Sequence, residues 1–142
     1  MEGKTVVGEI MITHDEILKR AKEIGSEITK DYEGERVVLI GILRGAVPWM
    51  ADIMKTIELD VVIDFMACSS YGAATKSSGV VKINKDLDLD IEGENVIIVE
   101  DIVDSGTTLN YLRGYLENRK PKSIAICSLL DKPAGRRVDI KA

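Results

Sequence analysis

Residues 96–108 read Val96-Ile97-Ile98-Val99-Glu100-Asp101-Ile102-Val103-Asp104-Ser105-Gly106-Thr107-Thr108. The four apolar residues at the start predict a buried strand, and two adjacent carboxylates follow it. A short loop of Asp, Ser, Gly and Thr then leads into a helix that we expect to begin near Thr108. Free backbone amides, hydroxyls and a helix N-terminus converge on such a loop, so the pattern predicts a phosphate-binding site.

The paired acids Glu100 and Asp101 narrow that prediction, because carboxylates beside a phosphate repel it. Sugar hydroxyls that donate to the acids, together with a divalent cation, remove the conflict. The spacing therefore favours a sugar phosphate bound with a metal. The alternative is a capped strand-to-helix turn with solvated acids. The sequence lacks the GxxxxGK[ST] pattern of a Walker-type phosphate loop.

Strand-like and helix-like segments alternate around this stretch. The run 37–43 is apolar on both faces, as in a strand that helices cover on both sides. Further strands are predicted at 61–67, 80–84 and 123–130, and helices at 46–56, at 108–118 and after a capping box at Thr13 and Glu16. Residues 69–79 have little to bury and predict a mobile loop. The pattern predicts an α/β fold with a Rossmann-like parallel sheet flanked by helices, which binds ligands at the carboxyl ends of its strands.

Composition excludes several classes of protein. The 142 residues fit a single domain, 1–142, and 24 acidic against 19 basic side chains give a net charge of -5. This balance argues against binding to nucleic acid or to an anionic membrane. No apolar run approaches the roughly 18 residues of a membrane-spanning helix. Cys68 and Cys127, with His14 as the one histidine, predict reduced thiols in a cytoplasm instead of a zinc site or disulfides.

Residues 100–108 resemble the phosphoribosyl-pyrophosphate binding motif of type I phosphoribosyltransferases. Three further segments are similar, in order, to those of hypoxanthine-guanine phosphoribosyltransferases. Residues 41–46 resemble the first pyrophosphate loop, residues 69–72 the start of the mobile catalytic loop, and residues 128–133 the base-reading strand end. The match runs from about Glu9 to Pro133, and it implies a type I phosphoribosyltransferase core.

The resemblance implies a role for each matching position around the ribose phosphate. Glu100 and Asp101 would bind the ribose 2'- and 3'-hydroxyls, directly or through Mg²⁺. Asp104 would lie near the imidazole edge of the purine as the catalytic general acid/base. The 5'-phosphate would be held by the loop and the start of the helix: Asp104, Ser105, Gly106, Thr107 and Thr108.

Roles for the pyrophosphate and the purine follow from the same resemblance. Leu43, Arg44 and Gly45 would meet the pyrophosphate, in the family through an unusual cis peptide. Ser70 and Tyr71 of the mobile loop would close over the reacting centre. Ile102 and Lys132 would contact the purine, with Lys132 donating to its 6-oxo group.

The implied activity is purine salvage. The enzyme would transfer the 5-phosphoribosyl group of phosphoribosyl pyrophosphate to N9 of hypoxanthine or guanine, and so release pyrophosphate and form IMP or GMP. Mg²⁺ would be the cofactor, and the chain would form a homo-oligomer, a dimer or a tetramer. A pyrimidine phosphoribosyltransferase is disfavoured by residues 43–45 and 131–133, and a related RNA-binding regulator by the acidic charge balance.

One departure from the family bears on activity. Ala142 lies ten residues beyond Lys132, and those ten residues contain no aromatic side chain. Family members continue with a further segment that carries an aromatic residue, an aspartate and an arginine for the base, the metal and the pyrophosphate, and these three have no counterpart here. With this base-binding segment absent, the hood that the family builds from both termini would be incomplete and a strand at 6–12 would lack its partner. We expect the phosphoribosyl half of the site to be better preserved than the base half. The alternative function is a phosphoribosyl-phosphate-binding core with little or no turnover.

Overall fold

The computed structural model describes residues 13–70, 81–103 and 107–131. Their elements in chain order are α1 (His14–Asp31), β1 (Val37–Ile42), α2 (Val47–Met54), β2 (Val61–Ser70), β3 (Val81–Lys85), β4 (Asn95–Val103), α3 (Thr107–Glu117) and β5 (Ser123–Asp131). None of the described helices is both long and apolar enough to cross a bilayer.

The five described strands form one sheet in the order β3-β2-β1-β4-β5. Strands β2, β1, β4 and β5 are parallel, which confirms the predicted α/β fold. The edge strand β3 differs, because it pairs antiparallel with β2. A parallel pairing needs a crossover of roughly a dozen residues or more, and β2 and β3 are too close in sequence for that.

The prediction of a mobile loop at 69–79 is wrong for its first two residues. Ser69 and Ser70 belong to β2, where they pair with Lys82 and Val81 of β3. Two serines have no apolar side chain to bury, but the antiparallel ladder satisfies their backbone groups, and this extends the strand. The rest of the predicted loop, including Tyr71, lies outside the described residues, as do residues 6–12.

Helix α1 begins at the predicted capping box. The Glu16 amide donates to Thr13 Oγ1 at 3.1 Å, and the Thr13 amide donates to Glu16 Oε1 at 2.9 Å. Each side chain thus satisfies a backbone donor that the first helical turn leaves without a partner. Ala21, Gly25 and Ile28 form the buried face of the helix.

The sheet is covered on both faces, as the apolar run 37–43 predicts. On one face the core contains residues of α1 and α2, among them Ala21, Trp49 and Ile53. On the other face it contains Leu109, Leu112 and Leu116 of α3. Because helices fix the central strands from both sides, the carboxyl ends of these strands are held at defined positions.

Candidate active site

The strand order reverses between β1 and β4, since β2 and β3 continue the sheet on one side and β5 on the other. Gly41 of β1 lies opposite Val99 of β4. The turn at 43–46 after β1 and the acids at the end of β4 therefore lie side by side. In open parallel sheets the crevice at such a switch point is the usual ligand site.

The turn at 43–46 has an unusual backbone. The Leu43–Arg44 peptide bond is cis, the geometry that the resemblance implies here. The Leu43 amide donates to the Met66 carbonyl of β2 at 2.8 Å, and the Val47 amide donates to the Arg44 carbonyl at 3.1 Å. Within the described residues no group accepts from the amides of Arg44 and Gly45. These two amides and the exposed Arg44 side chain can meet an anion.

The paired acids at the end of β4 are both half-buried. Burial first, and then hydrogen bonding with the Asp101 side chain, raise the pKa of Glu100 to about 8. The Asp101 amide donates to Glu100 Oε1 at 3.1 Å, which opposes that rise. Two carboxyl groups that share a site without a neighbouring cation are typical of a ligand site.

The acid pair fits Mg²⁺ by the chemistry of its donors. Mg²⁺ prefers oxygen ligands and is usually held by one or two carboxylates while it keeps waters and substrate phosphate oxygens. Glu100 and Asp101 supply two carboxylates, and a bound cation would favour the charged form of Glu100. No cluster of three or more candidate ligand side chains occurs in the part of the chain that the structure describes, so the acids would share the ion with substrate and water.

Helix α3 follows β4 and places its N-terminus at the same edge of the sheet. Thr107 begins this helix of 11 residues, and Thr108 follows in its first turn. The buried Leu109, Leu112 and Leu116 anchor the helix on the sheet. Its N-terminal amides and dipole therefore face the crevice, where they favour an anion.

The structure places many of the predicted site residues at one edge of the sheet. Leu43, Arg44 and Gly45 form the turn after β1, Glu100 and Asp101 follow the buried residues 96–99 of β4, and Thr107 and Thr108 begin α3. Ser70 lies at the end of β2. Five predicted residues lie outside the described residues: Tyr71, Asp104, Ser105, Gly106 and Lys132.

One predicted purine contact, Ile102, lies in β4 beside the end of β5. Ile102 of β4 pairs with Leu130 of β5, and Val103 pairs with Asp131, which ends β5. Lys132 comes directly after that end, so the pairing brings this point of the chain to the edge where the acids lie.

Two features of the site are not predicted by the sequence. The first is the surroundings of Cys68. Burial raises the pKa of its thiol, and the charge of the nearby Glu100 adds to the rise. The predicted strand ended at 67, and its extension is what brings Cys68 into the site. The second feature is a contact between Gly45 and Asp101. A Cβ added at Gly45 would lie 2.5 Å from Asp101 Oδ2. No local pattern reports a contact between residues so distant in sequence.

A family model described as a phosphoribosyl transferase domain matches residues 10–142. The chain is 51% identical over 136 residues to the hypoxanthine-guanine phosphoribosyltransferase of Bacillus subtilis strain 168, and this match covers 96% of this chain and 76% of that protein. Among solved structures, a hypoxanthine-guanine phosphoribosyltransferase from Bacillus anthracis matches with a TM-score of 0.92 and 43% identity, over 97% of this chain and 82% of that one. A hypoxanthine phosphoribosyltransferase from Staphylococcus aureus matches with a TM-score of 0.91 and 45% identity, over 94% and 73% of the two chains.

Proposed function

Because this chain belongs to the phosphoribosyltransferase family, as its sequence predicts, we propose that it is a purine-salvage enzyme. It transfers the 5-phosphoribosyl group of phosphoribosyl pyrophosphate to N9 of hypoxanthine or guanine, and it releases pyrophosphate. The observation that carries this proposal is the juxtaposition of the turn at 43–46 with the acids of β4 at the switch point of the sheet.

We assign the leaving pyrophosphate to the turn. Cleavage of the bond between C1' and pyrophosphate builds negative charge on the leaving group and positive charge on the ribose. The Arg44 guanidinium and the amides of Arg44 and Gly45 are donors for that negative charge. Mg²⁺, when bound, supplies further neutralisation of the pyrophosphate oxygens.

Glu100 and Asp101 are assigned to the ribose hydroxyls and the metal. The raised pKa of Glu100 means that its carboxyl holds a proton in a large share of free molecules at neutral pH. A substrate hydroxyl or a cation that binds the charged carboxylate releases this proton. The acids would therefore orient the ribose so that C1' faces the incoming N9.

The remaining roles rest on the family's motif. The 5'-phosphate is assigned to residues 104–108, where the N-terminus of α3 supports it. We propose Asp104 as the general acid/base at the imidazole edge of the purine, with Ile102 and Lys132 as purine contacts. A lysine satisfies the acceptor of a 6-oxopurine and leaves a 6-aminopurine without a matching partner.

A pyrophosphate-release assay tests the proposed function. The chain is incubated with phosphoribosyl pyrophosphate and Mg²⁺, with hypoxanthine, guanine or adenine as the acceptor. We expect release with either 6-oxopurine and none with adenine. Tight binding of phosphoribosyl pyrophosphate without release would favour a phosphoribosyl-phosphate-binding core that lacks turnover.

We also propose a cytoplasmic homo-oligomer, a dimer or a tetramer. Cys68 and Cys127 are both free thiols, which suits a reducing compartment. Val47 of α2 and Ile63 of β2 are large apolar side chains that stay 41% and 39% exposed in the single chain, and such residues are typical of interfaces when they cluster. Analytical ultracentrifugation at micromolar concentration tests the oligomer.

A further inference from the structure

Gly45 and the carboxylate of Asp101 touch across the switch point of the sheet. A Cβ built on Gly45 would lie 2.5 Å from Asp101 Oδ2, 3.0 Å from Cγ and 3.3 Å from Oδ1. Non-bonded carbon and oxygen atoms do not pack this closely. The Asp101 carboxylate thus occupies the space that a side chain at position 45 would need.

Space, not backbone conformation, is what requires glycine at this position. Among the described residues the glycines with positive φ are Gly34 and Gly93. Gly45 is not among them, so alanine at this position would not be forced into the left-handed region. What alanine would meet is Asp101, and all three atoms of the close contact belong to that carboxyl group.

A short side chain such as that of Asp101 can respond to a methyl group by rotating away. The fold would then survive, because neither Gly45 nor Asp101 belongs to the described apolar cores. The position of the carboxylate would change, and with it the geometry of the acid pair, because the Asp101 side chain is hydrogen-bonded with that of Glu100.

We infer that Gly45 is a positioning residue, whose missing side chain seats the Asp101 carboxylate against the turn at 43–46 and so couples ribose binding to the pyrophosphate turn. This inference rests on the proposed function, which places ribose at Asp101 and pyrophosphate at the turn. It adds a second role to Gly45, distinct from any contact of its amide with pyrophosphate, because Gly45→Ala keeps that amide.

Two probes separate these roles. Inosine 5'-monophosphate carries the ribose without pyrophosphate, and inorganic pyrophosphate lacks the ribose. Titration calorimetry without added metal is carried out on the wild-type chain, Gly45→Ala, Asp101→Ala and the double variant. We expect Gly45→Ala to weaken binding of inosine 5'-monophosphate by about tenfold, the scale of a hydrogen bond to a charged group. Its affinity for inorganic pyrophosphate should change less than threefold or so on the same scale.

The double variant supplies the decisive comparison. Asp101→Ala removes the carboxylate that the methyl group meets, so Gly45→Ala should have no further effect on binding in that background. Gly114→Ala is the matched control, because a Cβ at Gly114 meets nothing within 4 Å. It should bind both probes as the wild-type chain does.

Four results would overturn the inference. They are unchanged binding of inosine 5'-monophosphate by Gly45→Ala, additive effects in the double variant, equal losses for both probes, and a Gly45→Ala chain that unfolds while the double variant folds. A wild-type chain that binds neither probe, nor phosphoribosyl pyrophosphate with Mg²⁺, would refute the proposed function, and the inference with it. The first four results leave the proposed function intact.

Discussion

The two ends of the sheet differ in whether their charged side chains are paired with one another. At the amino end, hydrogen bonds and ion pairs join residues 35, 36, 94, 95, 122 and 123 into what we call the closed network. Lys122 Nζ donates to Glu35 Oε1 at 2.7 Å, and Arg36 forms an ion pair with Glu94. The hydrogen bond from Lys122, with a second from Asn95, holds the pKa of Glu35 below its usual range. Every charge in this network has a partner.

At the carboxyl end, Arg44, Glu100 and Asp101 form no ion pair with another described residue. The pKa of Glu100 is raised to about 8, chiefly by burial. Arg44 is exposed, and none of the described carboxylates lies within ion-pair distance of it. Fixed acids and donors left without internal partners cost free energy of folding, and binding a ligand offsets that cost. This contrast supports the proposal that substrate binds at the carboxyl end of the sheet.

The largest expected effect comes from the acid pair. Asp101→Asn removes a charge that is proposed to hold the ribose and the metal, and kcat/KM should fall on the order of 100-fold. Thermal unfolding should stay close to wild type, because the carboxylate lies outside both apolar cores. Steady-state pyrophosphate release and a thermal melt measure the two quantities.

Glu35→Gln is the matched control at the amino end, since it neutralises a carboxylate of the closed network. Activity should stay at the wild-type level. An Asp101→Asn chain with more than half of the wild-type activity would contradict the assignment of the carboxyl end, as would an equal loss of activity in Glu35→Gln.

The next effect should be on stability alone. Asn95 is 6% exposed, and its side chain donates to Glu35 Oε1 at 2.8 Å and accepts from Ser123 Oγ at 2.8 Å. Asn95→Ala leaves the Ser123 hydroxyl without this acceptor in a half-buried site, which costs about 1–3 kcal/mol. Urea unfolding should show this loss, and activity at 25 °C should be unchanged.

Ser123→Ala provides the comparison for Asn95→Ala, because it removes only one of the hydrogen bonds of the Asn95 side chain and should cost less. If Asn95→Ala impaired catalysis while stability was kept, the closed network would belong to the active site and the contrast between the two ends would be lost.

Local sequence predicts the carboxyl end better than the amino end, for a physical reason. The strand, loop and helix at 96–108 are continuous in the chain, and their apolar run, acids and hydroxyls define both the elements and the candidate phosphate site. The run 37–43 likewise defines β1 and the turn after it. These predictions depend on hydrogen bonds and burial that neighbouring residues determine.

The contacts that the sequence could not predict join distant parts of the chain. Asn95 and Glu35 are 60 residues apart, and Gly45 meets Asp101 only because β1 and β4 are neighbours in the sheet. The antiparallel pairing that extends β2 to Ser70 likewise depends on a second strand, β3, and not on the local sequence of β2. The roles of Asp104, Ser105, Gly106, Tyr71 and Lys132 stay predictions of the motif.

The smallest expected effect is on the pH dependence of stability, where the two ends should have opposite signs. Glu100 has its pKa raised from 4.5 to about 8, so the folded chain binds this proton more tightly than the unfolded chain does. Between these pH values the free energy of unfolding contributed by Glu100 falls as pH rises. Glu35 has a lowered pKa, so its contribution is present above about pH 4.5 and is lost as pH falls through its folded value.

Urea unfolding between pH 3 and pH 8 measures both contributions through variants. Relative to the wild-type chain, Glu100→Gln should lose part of the decline between about pH 5 and pH 8. Glu35→Gln should be less stable than the wild type above about pH 4.5, and this difference should shrink as the pH falls below that value. If the free energy of unfolding of Glu100→Gln fell as steeply as that of the wild type from pH 5 to pH 8, the side chain of Glu100 would not have a raised pKa. The two ends of the sheet would then be electrostatically alike, and only geometry would point to a ligand at the carboxyl end.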